Sequence, residues 1–234
     1  MISVVIPAFN EEKTIGKCIE SLIYQTTNEK YEVIVVDNAS TDKTYQIASK
    51  YKKRLDLKLI KEPKKGRGAA RFAGFRKATG AIILSLDGDS IAPKNWIEKL
   101  IKPLADPKIV AVTGTGRVEN STIRINKTFN VLQPVSMFGY RLLFRHFWLT
   151  GFNFAIQADI YKKAGGFNPE VGSYEDTDLT FRVAKLGKIK FINLPVTVDG
   201  RRMKNGIIKG SIPYVTGFIK FNALHKPPYL SDIR

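Results

Sequence analysis

Cysteine and histidine are rare in this 234-residue sequence, which contains a single cysteine, Cys18, and only two histidines. One cysteine excludes an intramolecular disulfide and a cysteine cluster that holds a metal. The sequence also lacks any run close to the ~20 apolar residues that a membrane-spanning helix needs. Its first residues, MISVVIPAFNEE, do not resemble a signal peptide. These absences predict an intracellular, cytoplasmic protein that is either soluble or peripheral at the inner face of the cell membrane.

Acidic residues are also in short supply, since 21 Asp and Glu face 38 Lys and Arg and leave a formal net charge of +17. The excess is marked in residues 50–77, where Asp56 and Glu62 are the only acids. Such segments suit nucleic acid, anionic lipid or phosphate-bearing small molecules, and a solvated lysine-rich surface is the alternative. Nucleic-acid binding is the weaker interpretation, because exposed stacking aromatics do not alternate with these basic residues.

Short β-branched runs alternate with helical patterns through the first half of the sequence. Runs typical of buried parallel strands occupy residues 2–7, 31–38, 57–63, 81–87 and 109–114. Helices are predicted between them at residues 15–23, 40–53 and 67–80, with Glu11 and Glu12 in the first turn of the first helix. The alternation predicts an α/β fold with right-handed crossovers, in which ligands bind beyond the carboxyl ends of the strands.

The predicted strands end in polar and acidic residues. The fourth run finishes as LSLDGDS, which puts Asp87 and Asp89 at one strand end, and Asp37 ends the second run. Two nearby carboxylates repel each other unless one is protonated or a cation joins them, and Mg²⁺ or Mn²⁺ prefers such oxygen ligands. A simple turn explains Asp87 and Asp89 alone, but three adjacent acidic or polar strand ends favour a binding site.

The alternating pattern breaks after about residue 118. Residues 121–154 are rich in aromatic residues and contain four basic residues and no acid. A short helix ending at Gly165 and Gly166, a helix that opens with YEDTD, and a strand at 189–199 follow. The sequence contains no recognisable linker or internal repeat. Residues 1–234 are therefore predicted to form one domain, with a nucleotide-sugar-binding half (1–118) and an acceptor-binding half (119–234).

Five motifs in this order resemble the family 2 glycosyltransferases, which have the GT-A fold. They are VVIPAFNEEKTIGKCIESL, VIVVDNASTDKT, KGRGAARFAGFRKATGAIILSLDGDS, GFNFAIQADIYKKAGGF and YEDTDLTFRVAKLG, and together they cover roughly residues 1–200. The resemblance implies a nucleotide-sugar donor, most often UDP- or GDP-linked, a divalent metal (Mn²⁺ or Mg²⁺) and inversion at the sugar carbon. The Q-x-x-R-W motif of processive relatives is absent, which favours a single addition over polymer synthesis.

The resemblance also implies a role for individual residues. The nucleoside pocket would be lined by Pro7, Ala8, Phe9 and Glu11, with Asp37 reaching the base. Asp87 would touch the ribose side and the metal, Asp89 would ligate the metal, and Asp176 would be the general base. Asn38, counted with the nucleotide-binding residues, stands where many relatives carry a second aspartate, so the nucleotide preference stays open.

Four further residues are candidates with a structural alternative each. Arg71 is predicted to lie near the donor, or else on the surface after a glycine turn. Arg202 is predicted to clamp the diphosphate, or else to be solvated. Glu175 and Trp148 are assigned to the acceptor side, with helix capping and aromatic packing as their alternatives. His225 is noted because some relatives use a late histidine near the metal or phosphate.

The same residue types fit the chemistry of sugar transfer. A metal on the departing diphosphate offsets its developing charge, and a carboxylate must deprotonate the acceptor hydroxyl. A nucleotidyltransferase is the alternative enzyme, but a Gly-rich basic loop is expected after its first strand, where this chain has the acids of PAFNEEKT. The basic and aromatic stretch 129–152, with the C-terminal residues, predicts contact with an anionic membrane and a lipid-linked acceptor; a buried aromatic core is the alternative.

Overall fold

The computed structural model describes residues 1–120, 122–171 and 174–200. Within these ranges the chain forms eight strands and seven α-helices. In chain order they are β1 (Ile2–Ala8), α1 (Ile15–Ile23), β2 (Tyr31–Asp37), α2 (Thr44–Ser49), β3 (Leu57–Lys61), α3 (Arg67–Lys77), β4 (Ile82–Leu86), β5 (Ser90–Ile91), α4 (Trp96–Ile101), β6 (Ile109–Glu119), α5 (Ile123–Phe144), β7 (Asn153–Gln157), α6 (Ala158–Lys163), α7 (Glu175–Val183) and β8 (Lys188–Asp199).

All eight strands belong to one sheet in the order β3-β2-β1-β4-β7-β6-β8-β5. β1 lies between β2 and β4 and is parallel to both, so three acidic or polar strand ends meet at one edge, as predicted. The sheet is mixed rather than wholly parallel, because β7 runs antiparallel to β4 and to β6. It takes strands from both sides of residue 118.

Helices cover both faces of this sheet. Strand β1 is apolar on both sides, so that Val4 packs with α1 and α4 on one face while Val5 packs with α3 on the other. The first face is filled around Trp96 and the second around Phe154 and Phe167, all fully buried. This three-layer arrangement holds the ends of β1, β2 and β4 rigidly at one rim.

Four local predictions need correction. α1 begins at Ile15 with no acid in its first turn, so Glu11 and Glu12 belong to the loop before it. α2 is short and continues as a 3-10 turn over residues 50–53. The short helix predicted over residues 155–167, ending at Gly165 and Gly166, begins later, because the first three of these residues belong to β7. The aromatic stretch after residue 121, where the alternating pattern breaks, forms the 22-residue helix α5.

Two remaining points concern membrane-spanning helices and two late candidate residues. Within the described residues, every helix is too short or too polar to cross a bilayer. The predicted sites Arg202 and His225 lie outside the described residues.

Candidate active site

Two loops at the rim of the sheet are fastened to each other, one after β1 and one after β2. The backbone N–H of Glu11 donates to Oγ1 of Thr44 over 2.7 Å, and the N–H of Glu12 donates to Asp42 over 3.0 Å. In return, Asn10 Oδ1 accepts from the N–H of Thr41 over 2.8 Å. These reciprocal bonds hold the predicted nucleoside-binding residues in a fixed arrangement.

Asp37 ends β2 as a buried carboxylate, with 5% of its surface exposed. Its Oδ1 atom is buried and finds no hydrogen-bond partner among the described residues. A buried acceptor without a donor is costly, by about 1–3 kcal/mol, and the N–H of a nucleobase would satisfy it. Nearby, the ammonium of Lys65 lies 5.6 Å from the ring centroid of Phe9, while Pro7 and Ala8 are buried at the end of β1.

Asn38 fastens the segment that leads into α3. Its Nδ2 donates to the carbonyl oxygens of Glu62 (3.1 Å) and Lys64 (2.7 Å), and its Oδ1 accepts from the N–H of Gly66 over 2.9 Å. An aspartate could accept from Gly66 but could not donate to either carbonyl. The departure from the family pattern at this position therefore has a local structural explanation.

Asp87 and Asp89 lie in the short turn between β4 and β5. The turn is packed tightly on β1, since the N–H of Gly88 donates to Pro7 O over 3.3 Å and a Cβ at residue 88 would lie 3.2 Å from that of Ala8. Cys18, fully buried beneath it, donates from Sγ to the carbonyl of Asp87 over 3.4 Å. Burial, with Asp89, Asp87 and Glu11 close by, raises the pKa of the Cys18 thiol, so it is a neutral packing group.

The carboxylates at this turn suit a hard cation that a substrate also ligates. Among the described residues, no three His, Cys, Asp or Glu side chains come together as a complete metal site. Mg²⁺ is commonly bound by one or two carboxylates together with substrate phosphates. Asp87 and Asp89 fit that pattern, because they supply two carboxylates at a strand end and leave the remaining positions for a diphosphate.

Arg71 connects the two carboxylate groups of the site. Its guanidinium is 2% exposed, donates from Nη2 to Asp87 Oδ1 over 2.6 Å, and donates from Nη1 to the Glu175 carboxylate. The surface alternative for Arg71 is therefore excluded. The residue ties the end of β4, through α3, to the first turn of α7.

Asp176 lies beside this ion pair. Its Oδ2 accepts from the N–H of Gly151 over 3.0 Å, and its Oδ1 accepts from the N–H of Thr177 over 2.7 Å. A Cβ at Gly151 would lie 2.7 Å from Arg71 Nη2 and 3.1 Å from Asp176 Oδ2, so only glycine fits between them. Gly151 thus lets the carboxylate approach Arg71, although sequence reasoning did not single it out.

The two acids that open α7 differ in exposure, and burial raises the pKa of both. Glu175 is 2% exposed, and burial raises its pKa to about 7 although Arg71 acts in the opposite direction. Burial also raises the pKa of Asp176, against the lowering effects of Arg71 and of the N–H groups of Gly151 and Thr177. Asp176 is partly exposed, and a raised pKa with access to solvent is what a general base requires. Asp178, the third acid of the YEDTD motif, pairs with Arg182 on the same helix.

An aromatic cluster adjoins Asp176. It comprises Tyr140, Phe144, His146, Trp148 and Phe181, with neighbouring ring centroids 4.6–6.2 Å apart. Burial and the Asp176 charge both raise the pKa of Tyr140 well above its usual value. Phe181, which packs on Phe144, lies on the same helix as Asp176. The indole N–H of Trp148 is buried and has no acceptor among the described residues. The cluster forms a wall on the predicted acceptor side, and Tyr140 is a member that the sequence did not reveal.

The fold is of the GT-A type, as superposition on solved structures shows. S. aureus TarS (residues 1–349, in complex with UDP) gives a TM-score of 0.69 at 22% identity, covering 85% of this chain and 60% of that one. Mannosyltransferase PcManGT from Pyrobaculum calidifontis, in complex with GDP-Man and Mn²⁺, gives 0.63 at 23% identity, covering 92% and 64%.

Residues 3–167 match the model of glycosyl transferase family 2, and the chain belongs to this family. The probable glycosyltransferase YdaM of Bacillus subtilis is 32% identical over 209 residues, covering 84% of this chain and 50% of the relative. The chain thus spans about half the length of that curated relative. The family and fold predicted from the motifs are confirmed, and none of these matches supports the nucleotidyltransferase or nucleic-acid-binding alternatives.

Proposed function

We propose that this domain transfers a sugar, with inversion, from a UDP- or GDP-linked donor to an acceptor hydroxyl. The observation that carries the proposal is the buried Arg71 bridge. It joins Asp87, at the end of β4, to Glu175, and Asp176 lies on the other side of the same guanidinium across Gly151. Two carboxylate groups with different surroundings are thereby held at a fixed separation, which suits donor binding on one side and proton removal on the other.

On the donor side, the nucleobase would occupy the space beside Phe9 and Asp37. The unsatisfied Oδ1 of Asp37 supports this assignment, because a base N–H would meet its need for a donor. Lys65, above the Phe9 ring, adds positive charge near the phosphates. Asn38 acts by ordering residues 62–66 rather than through free donors, and Arg71 acts by fixing Asp87.

A divalent metal would be held by Asp87 and Asp89 together with the donor diphosphate. When bound, Mn²⁺ or Mg²⁺ would stabilise the negative charge that develops on the leaving nucleoside diphosphate. Because Arg71 holds Oδ1 of Asp87, Oδ2 would be the oxygen offered to a metal. Arg202 is assigned to the diphosphate from its sequence position only.

On the acceptor side, Asp176 would take the proton of the attacking hydroxyl. The N–H of Gly151 donates to Oδ2 of Asp176, and the N–H of Thr177 donates to Oδ1. These two bonds fix the orientation of the carboxylate. Buried Glu175 is a positioning residue that holds Arg71 in place. Trp148 and its aromatic neighbours would line the acceptor, a glycan or a lipid-linked sugar, and peripheral contact with the inner face of the membrane belongs to this proposal.

The proposal is tested by a panel of nucleotide sugars supplied with Mn²⁺, with thermal stabilisation and donor hydrolysis measured for each. One nucleotide class should stabilise the protein in a metal-dependent manner. Asp89→Asn should weaken that metal-dependent binding by roughly tenfold or more, since a neutral amide is a poorer ligand for a hard cation.

Asp159→Asn serves as the matched control, because Asp159 is an exposed acid on α6 that pairs with Lys163. It should bind donor and metal as the wild type does. If no nucleotide sugar stabilises the protein, the proposed function is wrong. If Asp89→Asn turns over donor normally with Mn²⁺, the metal is held elsewhere.

A further inference from the structure

Helix α5 presents its apolar residues to solvent. Of its 22 residues, as the structure describes them, Met137 is the only one that is buried. Besides Ile123 at the first position of the helix (75%), the most exposed apolar side chains are Leu142 at 85%, Leu143 at 76%, Val131 at 64% and Val135 at 59%. At 3.6 residues per turn, these four residues, with Leu132 and Phe138, share one face about 140° wide. We call this set the α5 apolar face.

The side of α5 that packs on the protein combines the buried Met137 and the rings of Tyr140 and Phe144 with polar side chains. Asn130 Oδ1 accepts from the N–H of Val118 over 2.9 Å, and Gln133 Oε1 accepts from the N–H of Gly116 over 3.4 Å. A surface helix of a globular domain normally turns its apolar stripe to the core and its polar residues to water. α5 departs from this rule, because its large aliphatic side chains face solvent while polar and aromatic groups contact the domain. Within the described residues the helix therefore presents an uncovered aliphatic surface.

The charged residues of α5 itself, and Arg145 directly after it, are all positive. Arg124, Lys127, Arg141 and Arg145 lie on or next to the helix, and the sequence contains no acid between Glu119 and Asp159. Lys127 and Arg141 fall on one flank of the apolar face by the same helical geometry. An apolar stripe bordered by basic residues is complementary to an anionic lipid surface, where side chains enter the acyl boundary and cations meet head groups.

We propose that the α5 apolar face docks the domain onto an anionic membrane surface. The inference sharpens the membrane contact expected from residues 129–152 and changes the residues that make it. The aromatic residues of that stretch, such as Phe147 and Trp148, pack inward in clusters. The aliphatic residues of α5 provide the exposed surface instead.

Docking through α5 would also bring the transfer site to the lipid surface. The last turns of the same helix carry Tyr140 and Phe144, whose rings belong to the wall beside Asp176. An acceptor head group held in the membrane would thus meet the proposed base at the end of the docked helix. This step rests on the proposed function, whereas the docking itself does not.

The test is co-sedimentation of the full chain with vesicles of phosphatidylcholine and phosphatidylglycerol, without donor or acceptor. The wild type should bind at low salt, bind less at high salt and bind little to pure phosphatidylcholine. The double substitution Leu142→Ser/Leu143→Ser should lower the partition coefficient by about tenfold or more, because two apolar side chains no longer enter the lipid. Lys127→Glu should weaken binding to the anionic vesicles and leave the weak binding to pure phosphatidylcholine unchanged.

The matched control is Tyr24→Ser/Leu186→Ser, which removes two exposed apolar side chains outside α5 (60% and 41% exposed). It should bind vesicles as the wild type does, and circular dichroism should show both double variants folded. Failure of the wild type to bind anionic vesicles at low salt would overturn the proposal, as would equal binding by both double variants. Light scattering tests whether a second copy of the chain occupies the α5 apolar face instead. If the wild type is a dimer that Leu142→Ser/Leu143→Ser dissociates, and vesicle binding is unchanged, the face is a self-association surface. Neither result depends on sugar transfer.

Discussion

Helices α1 and α5 use their apolar residues in opposite ways. In α1 four of the five apolar residues, Ile15, Cys18, Ile19 and Leu22, are fully buried against the sheet. In α5 the largest aliphatic side chains face solvent, and the helix touches the domain mainly through polar atoms and aromatic rings. Helix α1 therefore helps to complete the core, whereas α5 leaves an aliphatic surface uncovered within the described residues.

The site follows the same division. Donor-side loops are fixed by hydrogen bonds between backbone and side chains, as at Glu11 with Thr44 and at Asn38 with residues 62–66. The proposed base instead depends on a buried ion pair and on an aromatic wall supplied by α5 and α7. Binding of donor and transfer to acceptor should consequently be separable by substitution.

The largest expected effect separates transfer from donor binding. Asp176→Asn keeps the shape of the side chain and removes its basicity, so transfer should fall by about two to four orders of magnitude, the usual contribution of a positioned general base. Donor affinity should be nearly unchanged, since the donor-side contacts do not include Asp176. Transfer rate and donor dissociation constant are measured on the same preparation.

Asp178→Asn is the matched control for this substitution, because Asp178 lies on the same helix and pairs with Arg182. It should transfer sugar at close to the wild-type rate. Glu175→Gln should have an intermediate effect, because it weakens the hold on Arg71 without removing the base. An inactive Asp178→Asn beside a normal Asp176→Asn would reverse the assignment of the two carboxylates.

The sequence predicts the donor half well because each of its signals is local. Buried β-branched strands, strand-end acids and the helical spacing of Ile15, Cys18, Ile19 and Leu22 all point to the same fold, and the topology confirms that β2, β1 and β4 are neighbours. The family motifs then identify the residues. These levels agree because the donor half buries its apolar residues in the ordinary way.

The acceptor half is harder to predict because its patterns conflict. Around α5, aliphatic residues face outward while Phe144 and Tyr140 face inward, so apolar residues occur on several sides and no single period stands out. β7 has only five residues and continues directly into α6, which hides it within a helical pattern. Gly151 matters through contacts with Arg71 and Asp176, which are distant in sequence, so no local signal reveals it.

A second prediction tests the α1 and α5 contrast through stability. Leu22→Ala should lower the free energy of unfolding by about 2–5 kcal/mol, because it leaves a cavity under the sheet. Leu142→Ala makes the same chemical change at an 85% exposed position and should alter stability by less than about 0.5 kcal/mol. Urea unfolding of both variants without lipid provides the measurement, and a large loss for Leu142→Ala would mean that the domain itself covers this face.

The smallest expected effect concerns the hydrogen bonds that order the donor half. Asn38→Asp removes both donors to the carbonyls of Glu62 and Lys64 and sets a carboxylate oxygen against them, which should cost about 1–3 kcal/mol locally. Asn10→Asp is the control, because Asn10 uses its side-chain oxygen as an acceptor for Thr41, a role that aspartate retains. Hydrogen exchange at residues 62–66 should accelerate in Asn38→Asp only, and donor affinity should weaken with it. Equal exchange in the two variants would show that Asn38 does not order this segment, and the family's usual aspartate would then be compatible with the loop.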